Sequence, residues 1–257
     1  MLQLLKKLTE REISLRYKGS IFGLSWAFIT PLLMFAVYAF VFSSIFKSKW
    51  GTDLATGDRF EYSLLLFTGL IVHAIFSECL LQSSTVISGN SSYVKKVIFP
   101  IQILPIVKLN SAIFHAIISI FVLLIFQGIV SQSLPWTAVL TPVVLLPFLV
   151  FTLGVSWFLS ALGVYVRDIS QVLNPFVTAC LFVGPVLYPR SVLPESLQPY
   201  LSLNPLTVIV EQMQSVLIWG KLPDFTALGI YTIVAVLIAG LGWLWFQKLR
   251  PGFADVL

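Results

Sequence analysis

LNSAIFHAIISIFVLLIFQGIVSQSLPWTAVLTPVVLLPFLVFTLGVSWFLSALGVYV, from Leu109 to Val166, contains not one Asp, Glu, Lys or Arg. About 20 mainly apolar residues cross the hydrocarbon core of a bilayer as a helix, so this stretch is long enough for two passes. Its only polar break is Ser131-Gln132-Ser133-Leu134-Pro135-Trp136-Thr137, a turn signal between two apolar runs. The reading is a membrane hairpin: one span over 105–130, a tight turn, and a second over 138–166. The rest of the chain is read outward from it.

Upstream, 21–46 carries no charge and forms the first span, with Pro31 inside it, and 62–81 forms the second, with His73 and Glu78. The polar segment Lys47–Glu61 joins them. Downstream, Arg167-Asp168 makes a short polar return, 169–188 is a fifth span broken by Pro175 and Pro185, and 225–246 is the sixth. Pro189–Asp224 differs in kind, with five Pro and an apolar run, Leu206–Trp219, interrupted by Glu211, Gln212 and Gln214. It is too short and too polar to span, and reads as helices lying in or dipping into the interface. The predicted fold is an all-α integral membrane protein. It has about six transmembrane helices, an N-terminal amphipathic helix over 1–20, re-entrant external helices between the fifth and sixth spans, and a single domain over 1–257.

Composition excludes the soluble alternatives. Hydrophobic residues make up 58% and charged residues 11%, and mean hydropathy is +0.94, which leaves too little polar surface for a water-soluble domain. The net charge of +5 therefore speaks to membrane orientation rather than to nucleic acid. Eleven of the sixteen Lys and Arg fall on the side of the N-terminus: Lys6, Lys7, Arg11, Arg16, Lys18, Lys95, Lys96, Lys108, Arg167, Lys248 and Arg250. The positive-inside rule then places both termini in the cytoplasm, with 53–61 and 194–223 outside. Within the first segment Leu4, Leu5, Leu8 and Leu15 share one helical arc, with Glu12 intruding on it. Such a helix lies along the inner leaflet.

Chemistry is sparse. The closest approach to a phosphate-cradling loop, Gly220-Lys221, continues into Leu222 and has Ser215 where a Gly belongs, so no ATP site is expected on this chain. Cys79 and Cys180 lie in apolar stretches, and no metal site is expected. Glu78, His73, His115 and Glu211 are the ionisable groups within or near spans. Glu78 is placed to reach water or Lys95, and the two His have no acidic or Cys partner at ligand spacing, so all three read as structural. The aromatic residues Tyr38, Phe42, Phe176 and Tyr188 read either as lipid contacts or as a path for a glycan, whose C–H faces stack on rings. Tyr38 and Phe42 share a helix face.

Arg11-x-Ile-x-x-Arg16-Tyr17-Lys18-Gly19-Ser20-x-x-Gly23-x-x-Trp26-x4-Pro31 resembles the entry segment of ABC type-2 polysaccharide export permeases. Four further segments match that family in order: Lys95-Lys96-Val97-Ile98-Phe99-Pro100 with Leu104-Pro105, then Arg167-Asp168-Ile169, Asn204-Pro205-Leu206, and the tail Arg250–Leu257. The resemblance spans essentially the whole chain. It implies a homodimer in the bacterial inner membrane, with two cytoplasmic ATPase subunits that carry the ATP and Mg, this chain holding no cofactor. It also implies an undecaprenyl-diphosphate-linked cargo of the O-antigen, teichoic acid or capsule class. On this reading Arg16, Gly19, Gly23 and Trp26 form the junction between interface helix and first span. Ser91, Tyr93, Lys95, Lys96 and Phe99, with Arg167 and Asp168, transmit ATPase motion; the alternative for the first of these segments is a solvated basic loop. Competing classes are a lipid-linked oligosaccharide flippase without an ATPase, a secondary transporter, and an intramembrane transferase. The first two need an ion-coupling site and the last needs clustered acids or His.

Overall fold

The computed structural model describes residues 1–41, 59–94, 99–196 and 198–257, and every regular element among them is helical. α1 (Leu2–Tyr17) is followed by α2 (Trp26–Phe40), α3 (Arg59–Val86), the short α4 (Ser91–Val94), α5 (Ile103–Ser131) and α6 (Thr141–Tyr165). Then come α7 (Ile169–Val183), α8 (Gln198–Leu201), α9 (Thr207–Leu217), α10 (Phe225–Leu249) and α11 (Phe253–Val256). Five helical stretches are long and apolar enough to cross a membrane: Gly23–Phe40, Glu61–Val86, Ile103–Val130, Trp136–Tyr165 and Phe225–Val256. The expected continuation of the first span to Phe46 lies outside the described residues.

The hairpin read from the charge-free stretch is present. α5 ends at Gln132, which takes a left-handed conformation (φ 52°) that stops the helix. A 3-10 turn at Trp136–Leu140 then leads into α6. The fifth span is shorter than expected. α7 stops at Val183 instead of 188, because Gly184 adopts an extended backbone (ψ 166°), as the residue before Pro185 is biased to do. Fifteen residues rise about 22 Å, less than the ~30 Å hydrocarbon core, so α7 is an apolar helix below full spanning length.

α3 is the central element, packed against α2, α5, α6, α7 and α9. One continuous core joins Leu64, Phe67, Val72, Phe76 and Leu80 of α3 to Leu123, Phe148, Val177, Ile209, Met213 and Leu217. α10 packs chiefly on α6. The two approach so closely that a Cβ on Gly242 would overlap the Gly154 carbonyl, and one on Gly154 would lie 2.6 Å from the Ala239 backbone. Small residues permit this backbone contact where lipid supplies no hydrophobic drive. The far side of α10 presents Ile230, Ile233, Leu237, Leu241 and Leu244 fully outward, a surface suited to lipid.

α9 lies inside the bundle against α3 and α6, with Ile209, Val210, Met213, Val216 and Leu217 fully buried. Backbone carbonyls beside it find side-chain donors, as a buried irregular segment requires. Thr137 Oγ1 donates to the Val216 carbonyl (2.7 Å), and Gln214 Nε2 donates to that of Leu65 (3.1 Å). Asn204 Nδ2 donates to the Cys180 carbonyl at the end of α7 (2.7 Å), while its Oδ1 accepts from the Leu206 N–H (3.0 Å). Asp224 accepts from the N–H groups of Thr226 and Ala227 and so starts α10.

Candidate functional site

α1 continues in register to Tyr17, and the chain then turns through Gly19 (φ +87°) and Gly23 (φ +50°) into α2, which begins at Trp26. Those backbone angles are open to Gly at little cost. Phe22 packs edge-on against Trp26 at 5.7 Å. Arg16, one residue before the helix end, reaches across to α3 and α5. Its Nη1 lies 2.6 Å from Glu78 Oε1 and 3.0 Å from His115 Nδ1. Tyr17 stands edge-on to the His115 ring at 6.0 Å, and burial raises its phenol pKa above the ordinary value, opposed by the Arg16 charge.

This cluster revises the view of His115 as lacking an acidic partner: Glu78 Oε1 lies 3.7 Å from its Nδ1. Glu12, the apparent intruder on an apolar arc, pairs with Lys108 of α5, 96 residues along the chain. α1 is thus fixed along α5 by residues on one stripe, Thr9, Glu12 and Arg16, reaching Asn110, Lys108 and His115. Its apolar residues Leu4 and Leu15 stay exposed.

Of the expected coupling residues, Ser91, Tyr93, Phe99, Arg167 and Asp168 lie among the described ones. After α3, a 3-10 turn at Ser88–Asn90 leads into α4, which carries Ser91 and Tyr93. Arg11 of α1 donates to the Tyr93 hydroxyl (2.9 Å). Tyr93 and Phe99 stack on one another, centroids 4.4 Å apart and planes 12° off parallel. Each of these two rings, expected from the resemblance to transmit ATPase motion, thus has the other as a partner. The pair rests on a second, smaller core of Val86, Ile87, Val94, Ile101, Leu104, Val164, Phe246 and Phe253. Lys95 and Lys96 lie outside the described residues.

Phe253, in the tail, was not singled out by sequence reading. It is fully buried and packs on Phe246 and Tyr165. The Tyr165 hydroxyl in turn donates to the Leu249 carbonyl (3.0 Å). The α4 segment, the Arg167 turn, α1 and the C-terminal tail therefore all gather at one end of the bundle. A recess of about 410 Å³ opens there, lined by Ser84, Thr85, Ser88, Ser91, Gly163, Val164, Arg167 and Leu257. Arg167 and Asp168 are both exposed.

The aromatic candidates diverge. Tyr38 is partly buried and packs on the main core behind Phe35, so the outward face of α2 is made by Leu33, Met34, Val37 and Phe40 instead. Phe176 stands exposed on α7 with Phe182. Tyr188 falls beyond the helix and folds back, its hydroxyl donating to the Phe182 carbonyl (2.7 Å). Phe42 lies outside the described residues.

Comparison with known proteins matches residues 3–218 to the family described as ABC-2 type transporter. An O-antigen export system permease protein RfbA from Myxococcus xanthus is 29% identical over 254 residues, covering 98% of this chain and 94% of the relative. A protein of the same description from Klebsiella pneumoniae is 25% identical over 259 residues, covering 100% of this chain and 96% of the relative. A second Klebsiella pneumoniae relative of that description is 24% identical over the same length.

Proposed function

The chain belongs to the ABC-2 type transporter family, and on that premise we propose that it is the membrane-spanning permease subunit of an ATP-driven exporter of lipid-linked polysaccharide, with O-antigen as the cargo. Relatives matched over nearly their full length carry the description of O-antigen export permease, which supports the cargo class. The chain works as a homodimer in the bacterial inner membrane. Both termini are cytoplasmic, α7 serves as the fifth of six spans, and α8–α9 is the re-entrant segment. Two separate ATPase subunits bind the end of the bundle where α4, the Arg167 turn and the recess meet. The cargo is an undecaprenyl-diphosphate-linked glycan, which passes the outward faces of α2 and α7.

The observation that carries this reading is the convergence of the two interhelical turns. Ser91 and Arg167 are far apart in sequence, yet both line one recess, as they must if a single motor is to push on both. The stacked Tyr93–Phe99 pair ties α4 to the chain that enters α5. Arg11 extends that contact to α1.

The test is co-purification with an ATPase bearing a phosphate-cradling loop, followed by ATP hydrolysis measured in lipid with and without glycan carrier. Wild type should bind the ATPase and show glycan-stimulated hydrolysis. Tyr93→Ala with Phe99→Ala should remove the stimulation. Full binding and full export by the double variant would return the segment to a solvated loop. Stoichiometric ATP binding by the lone subunit would overturn the assignment of the motor to another chain.

A further inference from the structure

We infer that His115 is a positioning residue for α1: its neutral ring holds Arg16, and with it the joint into the first span, against the bundle, and addition of one proton to the ring releases that hold. The inference is independent of the identity of the cargo.

The donor inventory assigns the ring's state. Arg16 Nη1 can only donate, and it lies 3.0 Å from His115 Nδ1. In the tautomer that makes this contact, Nδ1 offers a lone pair, the single ring hydrogen sits on Nε2 and the imidazole is neutral. Nε2 is buried and has no hydrogen-bond partner among the described residues. Nothing on that side of the ring competes for its orientation, so the contact with Arg16 sets it.

The groups around His115 come from three helices. α1 supplies Arg16 and Tyr17, with Glu12 one turn back and committed to Lys108. α3 supplies Glu78, whose Oε1 is also approached by Gln82 Nε2 at 3.3 Å, and the neighbouring Cys79. α5 supplies His115 itself and, two turns away, Lys108. Glu78 is the carboxylate shared by Arg16 and His115. With the ring neutral, one carboxylate balances one guanidinium. A second proton on the ring puts an N–H on Nδ1, facing Nη1–H, and sets two cations 3.0 Å apart over one carboxylate.

Which cation leaves follows from exposure. The His115 and Glu78 side chains are each only 16% exposed, whereas that of Arg16 is 48% exposed. Arg16 can move into water while His115 cannot. Glu78 then pairs with the imidazolium, whose Nδ1 is already 3.7 Å away. α1 remains anchored one turn earlier through Glu12 and Lys108, and the backbone at Gly19 and Gly23 gives the freed end a pivot. The hold therefore belongs to the neutral ring and is lost when the ring takes a second proton.

The chain contains two His, so ¹⁵N-histidine labelling of the full-length permease in lipid nanodiscs gives two ring systems, and His73→Gln assigns them. A second readout is alkylation of a Cys placed at Ile13, on the partly buried face of α1, in a background with Cys79→Ala and Cys180→Ala. Its rate is divided by that of Lys18→Cys, exposed at the helix end, which cancels the pH dependence of the thiol. The expected result is a neutral His115 ring with its proton on Nε2 at pH 8. The Ile13→Cys rate ratio should rise at least threefold as the ring becomes doubly protonated. His115→Gln, which keeps a carbonyl acceptor but takes no proton, should hold the ratio low throughout. Three results overturn the inference: a ring that does not titrate between pH 5 and 8, a proton on Nδ1 at pH 8, or a rate ratio that rises equally in His115→Gln.

Discussion

Asn204 is held between two buried backbone groups, the Cys180 carbonyl and the Leu206 N–H. Replacing it by Ala leaves both groups unpaired in the interior, at on the order of 1–3 kcal/mol each. Asn204→Ala should therefore lower the thermal unfolding temperature of the detergent-solubilised protein well beyond the effect of an exposed control such as Gln171→Ala. Equal shifts in the two would show that the end of α7 is solvated. Single-residue readings of charge were the least legible part of the sequence. Glu12 appeared misplaced and His115 appeared partnerless because Lys108 and Glu78 sit on other helices. A pairing 96 residues apart leaves no trace in local spacing. The Asn204-Pro205-Leu206 motif was visible as a resemblance, whereas its hydrogen-bonding task emerges only when the turn before α9 meets the end of α7.

α1 is an amphipathic helix attached by polar contacts. Its salt bridge to α5 is partly exposed, with Lys108 18% and Glu12 30% accessible, and such pairs contribute about 0–1 kcal/mol. Glu12→Lys places two cations together and should loosen α1, seen as faster protease cleavage within residues 1–18. Glu12→Lys combined with Lys108→Glu should restore resistance. If the double swap stays as sensitive as the single change, the pair is incidental. A stronger element-level prediction concerns α6 and α10, which meet backbone to backbone at Gly154 and Gly242. Gly154→Val must push them apart, because the neighbouring atoms are main chain and cannot give way. That variant should insert but lose stability sharply in detergent, whereas Gly229→Ala, with open space at its Cβ, should behave as wild type. The spans themselves were readable because charge-free runs of sufficient length admit little else. The early end of α7 was also written in the sequence, as Gly184-Pro185, and the apolar run that carries on to Tyr188 masked it.

At the scale of the whole molecule, the termini share one end of the bundle because α1 contacts the α4 segment through Arg11 and Tyr93 while the tail inserts Phe253 beneath that segment. On the proposed orientation this end faces the cytoplasm. A Cys at Gln198 should then react with an impermeant thiol reagent on intact spheroplasts, and one at Lys7 only after lysis. The reverse pattern would invert the orientation. Fold class was legible in composition alone; the placement of α9 was not, since Leu206–Trp219 has the same polarity whether it lies on the surface or inside.

At the level of α9 the bundle is filled: Ile209, Val210, Met213, Val216 and Leu217 have no accessible surface, and Thr137 and Gln214 tie the surrounding carbonyls shut. Among the described residues one copy is accordingly a wall, without a bore at that depth. On the proposed function a sugar chain slides along its outer side, and the membrane's resistance to ion leakage is then settled at the seam between two such walls.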